Sequence, residues 1–112
     1  MQKVKLAAHR GYSSKCPENT LVAFREALKY DIDMVENDLH MTKDGEIVLM
    51  HDHKVDRTTN GEGLVRELTL EQIRALDAGS WKGEQFKGEK VPTFREFCEL
   101  FKDYPNIEVN IE

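Results

Sequence analysis

A chain of 112 residues is long enough for one domain or part of one, and its ordinary apolar content and mixed charge describe a water-facing globular protein. The net charge of −5, with no basic arm and no basic patch interleaved with aromatics, counts against nucleic acid as the main partner. No apolar run approaches the roughly 18 residues of a transmembrane segment, residues 1–8 are too short for a signal peptide, and Cys16 and Cys98 lack zinc-type spacing, so free thiols and a cytoplasmic setting are expected.

In chain order, Val4 to Ala8 is a short apolar run that meets His9-Arg10-Gly11, which predicts a buried strand ending in a polar loop. A helix comes next, with Asn19 or Thr20 as its cap and Leu21, Phe24 and Leu28 at helical spacing. MVENDLHM, from Met34 to Met41, reads as a second strand, Lys43-Asp44-Gly45 as a turn, and EIVLMHD as a third strand. The strand pair resembles a hairpin at first sight. The expectation is instead two parallel strands with a very short connection, or a strand followed by an irregular turn.

Asp56 to Val91 has a different texture. Thr69-Leu-Glu-Gln72 is a capping box that opens a short helix to about Leu76, and Asp77 to Val91 reads as loop. Trp81 and Phe86 are expected to pack a core for this stretch, and Arg57-Thr58-Thr59 to build the turn into it. Thr93 and Glu96 form a second capping box, before a helix whose apolar stripe is Phe94, Phe97, Leu100 and Phe101. The final Ile107 to Glu112 alternates strictly and reads as a strand. Strands alternating with helices predict a parallel α/β sheet.

The charged residues gather where such a sheet would place a site. Glu36 and Asp38 fall on one strand face about 7 Å apart, close enough to repel unless a cation intervenes. Hard divalent ions take oxygen ligands of this type. His9-Arg10 and His51-Asp52 both stand at the C-terminal ends of apolar strands, where parallel α/β folds collect functional residues. A pair of histidines can act as acid and base in turn, and Arg10 offers a planar, permanently charged fork for phosphate or carboxylate. Glu18 and Asn19 are read as fixing the loop after His9, and Asp52 as orienting its loop.

These residues carry a resemblance. His9-Arg10-Gly11, Pro17-Glu18-Asn19-Thr20, Glu36-x-Asp38, Thr42-x-Asp44-Gly45, His51-Asp52, Arg57-Thr58-Thr59 and Gly63 occur in the order found in the glycerophosphodiester phosphodiesterases. So do Leu76-Asp77-Ala78-Gly79-x-Trp81, Val91-Pro92-Thr93 and Asn110-Ile111-Glu112. The resemblance covers essentially the whole chain. It implies a TIM barrel with an inserted subdomain at 56–91, and metal ligands at Glu36, Asp38 and Glu112 for Mg²⁺ or Ca²⁺. It also implies an acid and a base at His9 and His51, and a phosphate contact at Arg10. The implied reaction cleaves a small-molecule glycerophosphodiester to an alcohol and glycerol 3-phosphate.

A TIM barrel needs about 250 residues, so residues 1–112 are expected to be the N-terminal portion of one, with about four of its strands. Open sheet edges would then invite self-association, and the isolated chain would be weak or inactive. Two other readings stand beside this one: a phospholipase-type member of the same barrel group, and a non-catalytic module that binds metal or assembles through its edges.

Overall fold

The structure is a computed structural model that describes residues 7–112. Val4, Lys5 and Leu6, which open the first expected strand, lie outside the described residues. The rest of that run forms β1 (Ala7–His9). The chain continues through α1 (Leu21–Ala27), β2 (Met34–Asn37), β3 (Leu39–Met41), β4 (Ile47–Leu49), α2 (Leu70–Arg74), α3 (Phe94–Phe101) and β5 (Glu108–Ile111).

Three strands make a parallel sheet in the order β1-β2-β5. Ala8, Val35 and Val109 are level across it, and Ala8 and Val35 are buried beneath the helices. Phe24 of α1 meets Phe97 of α3 edge-on at 4.9 Å between ring centroids, and Phe97 leans on Phe101 at 4.7 Å. This aromatic core also takes in Ala27 and Leu49. The opposite sheet face carries His9, Glu36 and Asn110 at one level.

The helix starts obey local sequence. The Thr20 hydroxyl accepts from the Ala23 N–H, and Thr69 with Gln72 and Thr93 with Glu96 form complete capping boxes. Each satisfies helix-end donors that have no partner inside the helix.

The run MVENDLHM is not one strand. The Asp38 N–H faces Asn19 Oδ1 at 3.4 Å, and the Asp38 carbonyl accepts from the Met50 N–H at 3.0 Å. With both backbone groups claimed from outside the sheet, the run breaks there. Leu39 to Met41 then pairs antiparallel with Ile47 to Leu49. The turn between them closes through Thr42, whose N–H donates to the Glu46 carbonyl at 2.8 Å, and through Gly45 at φ 83°. Only glycine takes up that conformation without strain. The pair is thus an antiparallel hairpin rather than two parallel strands, and among the described residues the parallel sheet has three strands, not four.

A second, aliphatic core is built around and beyond the hairpin: Val48, Met50, Val55, Val65, Ile73, Ala78 and Val91. It begins before residue 56. Strand β4 is the wall between the cores, since Leu49 belongs to the first and its neighbours Val48 and Met50 to the second. Trp81 and Phe86 are outside the buried set of this core. Trp81 is 37% exposed, and its indole N–H donates to the Ala78 carbonyl at 3.0 Å. At β5 the alternation is present, yet Val109 and Ile111 are exposed and only Ile107 packs on the first core.

Candidate active site

The C-terminal ends of β1 and β2 bring four of the expected residues together. Register sets His9 level with Glu36, and His9 Nε2 lies 3.8 Å from Glu36 Oε2. Arg10 comes next at φ 54°, a left-handed conformation uncommon for a residue with a side chain. Its carbonyl accepts from the Asn19 N–H at 2.9 Å, and Asn19 is itself left-handed at φ 58°. Such conformations persist only where their surroundings over-determine them, and they cluster at functional sites.

From this turn Arg10 and Asn19 converge on Asp38. Asn19 Nδ2 donates to Asp38 Oδ2 at 3.0 Å, and Arg10 Nε is an ion-pair partner of the same oxygen at 3.3 Å. That ion pair lacks hydrogen-bond alignment, so the buried Arg10 Nε keeps an uncommitted donor. Arg10 Nη1 donates to Glu18 Oε2 at 3.2 Å.

Glu112 joins through its backbone. Its N–H donates to the Asn37 carbonyl at 3.0 Å, and its carbonyl accepts from the Leu39 N–H at 3.1 Å, which sets it level with Asp38. Glu36, Asp38 and Glu112 are therefore oxygen donors on adjacent strands at one sheet end, the donor type of a hard divalent cation. Two of these carboxylates are engaged otherwise here, Glu36 with His9 and Asp38 with Arg10 and Asn19. Among the described residues no three His, Cys, Asp or Glu side chains converge closely enough to hold an ion.

His51 arrives from the hairpin side, on the loop after β4. His40 Nε2 donates to the His51 carbonyl at 3.1 Å, so His40 supports the backbone of His51. His51 Nδ1 lies 3.0 Å from Asp52 Oδ1. Facing a carboxylate, Nδ1 carries the proton and Nε2 is left with the lone pair. The Arg57 guanidinium beside Asp52 holds its carboxyl down to about 2, with a further lowering from the His51 contact and an opposing rise from burial. Arg57 also bonds Glu18, at 3.0 and 2.9 Å, and Trp81 lies over it with 5.9 Å from Cζ to the ring centroid. A cleft lined by Glu18, Asn19, His51 and Thr58 separates this loop from the one after β1.

Two roles escaped the sequence. Arg57 read as a turn builder, and Glu18 as a local loop brace. Each bonds across the site, and nothing in their spacing signals it. Asp52, expected to orient its loop, contacts the His51 ring directly.

The chain matches the family model "Glycerophosphoryl diester phosphodiesterase family" over residues 9–112. It is 51% identical over 110 residues to a glycerophosphodiester phosphodiesterase of Caldanaerobacter subterraneus subsp. tengcongensis, covering 98% of this chain and 45% of that relative. It is 45% identical over 112 residues to a glycerophosphodiester phosphodiesterase of Bacillus subtilis, covering 93% and 38%. Among solved structures, one of a glycerophosphodiester phosphodiesterase from Agrobacterium tumefaciens superposes with a TM-score of 0.91 at 37% identity, over 97% of this chain and 46% of that one. A phosphodiesterase from Oleispira antarctica, in complex with the product sn-glycerol-3-phosphate, superposes with a TM-score of 0.90 at 39% identity, over 96% and 43%. The chain spans less than half the length of each of these relatives.

Proposed function

We propose a function on one premise: this chain belongs to the glycerophosphoryl diester phosphodiesterase family. The chain is the first part of a TIM-barrel hydrolase that cleaves a glycerophosphodiester to an alcohol and glycerol 3-phosphate. Residues 56–91, which supply Val65, Ile73, Ala78 and Val91 to the second core, are the inserted subdomain. The observation that carries this reading is the strand register, which stands His9 against Glu36 while Arg10 meets Asp38 one step further on. The product bound by the Oleispira antarctica relative points to the same substrate class.

Each side chain has a task. Glu36, Asp38 and Glu112 would hold a divalent cation, Mg²⁺ or Ca²⁺, once Glu36 is released from His9 and Asp38 from Arg10 and Asn19, and the ion would supply positive charge against the phosphate. Arg10 has an uncommitted Nε donor and adds charge stabilisation as the phosphoryl centre crowds. His9 and His51 divide the proton transfers, one taking the proton of the attacking hydroxyl or water, the other protonating the departing alkoxide. His51 does so through Nε2, since Nδ1 is committed to Asp52.

Cys16 and Cys98 are free thiols, which supports a cytoplasmic setting. The isolated chain is weak or inactive, because a site needs its whole supporting scaffold. Full turnover by a monomeric 112-residue chain would refute that. The edges of β1 and β5 are the surfaces through which the chain self-associates.

The test is glycerol 3-phosphate release by the intact enzyme carrying these residues, assayed on glycerophosphocholine and lysophospholipids. His51→Ala should lower the rate by more than about tenfold, within the usual range of a lost acid or base. A smaller loss removes the proton-transfer role. Glu36→Gln should shift the metal titration to higher concentration, and an unchanged titration removes the ligand assignment. Preference for lysophospholipids would favour the phospholipase-type reading.

A further inference from the structure

Arg57 stands at the middle of the histidine side of the site. Its Nε and Nη2 donate to Asp52 Oδ2 and Oδ1 at 2.9 and 3.0 Å. Its Nη1 and Nη2 donate to Glu18 Oε1 and Oε2 at 3.0 and 2.9 Å. One guanidinium therefore makes two forked contacts to two carboxylates. Asp52 also receives His51 Nδ1, and Glu18 also receives Arg10 Nη1. The result is an unbroken line of bonded groups, His51–Asp52–Arg57–Glu18–Arg10.

Several readings of an arginine in such a place fail on this geometry. Both forks are filled by protein carboxylates, so Arg57 does not offer a free fork to substrate phosphate. Its charge is matched locally, since Arg57 and Arg10 face Asp52 and Glu18. Surface charge alone also does not explain the contacts: the His51 side chain is 45% exposed and Asp52 30%, and a loose ion pair at such a place fixes little. A planar fork meeting both oxygens of a carboxylate does fix something. It sets the plane and direction of that carboxylate, which a point charge leaves free to rotate.

We propose that Arg57 is a positioning residue: its double fork fixes the Asp52 carboxylate, through it holds the His51 imidazole in the Nδ1–H form with Nε2 free for proton transfer, and through Glu18 ties that imidazole to Arg10. This rests on the acid/base reading of His51 and adds to it a residue that touches neither substrate nor reacting atoms. It also gives the second core a part in the chemistry. Arg57 lies two positions beyond Val55 of that core, while Glu18 belongs to the loop after β1, 39 positions away in sequence.

The test reads the imidazole and not turnover, so it can fail separately from the proposed reaction. The intact enzyme carrying these residues is labelled with ¹⁵N in its imidazoles and compared with its Arg57→Lys, Arg57→Gln and Glu18→Gln variants. Long-range ¹H–¹⁵N correlations at mildly alkaline pH give the ratio of the two neutral tautomers of His51. Backbone amide spectra of the same samples report the fold. In the unaltered enzyme the Nδ1–H form should dominate. Arg57→Gln should lower the ratio several-fold, and Arg57→Lys should do so nearly as much despite keeping the charge. Glu18→Gln, which leaves the Asp52 fork in place, should lower it less. A folded Arg57→Lys or Arg57→Gln enzyme with the original ratio overturns the proposal. If neither Arg57 variant folds, Glu18→Gln decides, and an unchanged ratio there overturns it equally. A ratio that depends on Arg57, together with full activity in His51→Ala, would keep the positioning and remove the acid/base role.

Discussion

His9 and His51 are held in opposite ways. His9 is delivered by backbone: it ends β1, its level is set by the register with Glu36, and its one close charged partner among the described residues is that carboxylate at 3.8 Å. His51 is delivered by side chains: it sits on the loop after β4, with His40 on its carbonyl and Asp52 on its ring, and Arg57 behind Asp52. The first arrangement is as stable as the sheet. The second depends on side chains from β3, from the loop after β4 and from Arg57 beyond it. A strand end fixes where a group is, and a hydrogen-bonded network fixes which way it faces.

The contrast extends to what lies beneath. The sheet side rests on aromatic packing of Phe24, Phe97 and Phe101, and the loop side on the aliphatic second core. Phe97→Ala should break the first most severely. Phe97 is buried against three other rings, and loss of such a ring costs about 3–5 kcal/mol. Denaturant unfolding measures the loss. Amide exchange should rise first in α1, β2 and α3, and a uniform rise across the chain would mean that the two cores open as one.

Ile73→Ala should give the converse result. Ile73 is fully buried in the second core, and its truncation costs about 2–5 kcal/mol. Exchange should quicken around Val55, Val65 and α2 while the β1-β2-β5 ladder stays protected. His51 resonances should broaden and those of His9 should not. Equal disturbance of both histidines would erase the contrast between them.

The smallest effect should come with acid. The folded Asp52 carboxyl titrates at about 2, below the ordinary value near 3.9. A depressed carboxyl contributes stability that is fully present above the ordinary value and is lost as pH falls through the folded one, so the loss falls between about pH 4 and 2. Solvent reaches Asp52 and keeps the contribution modest. A ¹³C carboxyl titration should find the low midpoint in the native chain and a higher one in Arg57→Gln. An unmoved midpoint would show that the guanidinium is not its cause.

Features governed by neighbours in sequence were legible. The caps Thr20, Thr69 with Gln72, and Thr93 with Glu96 are such features, because a capping side chain reaches only a few residues along the chain. The pairs His9-Arg10 and His51-Asp52 were legible as the polar ends of apolar runs. The break at Asp38 was not, because it depends on Asn19 and Met50 claiming its backbone groups. The antiparallel pairing of β3 with β4 results from that break. Trp81 was expected to pack the core of residues 56–91, yet its ring lies over Arg57 at the surface.

By itself, then, the amino-acid sequence determined the family, the helix starts, and which residue types stand at the strand ends. These rest on local propensity and ordered motifs, and both survive without coordinates. Only the tertiary structure decided that Asp38 answers to Arg10 and Asn19, that the chain turns back into a hairpin, and that Arg57 joins Asp52 to Glu18. The physical reason is separation along the chain. A forked hydrogen bond between residues 39 positions apart exists only once two cores have folded and brought their loops within 3 Å.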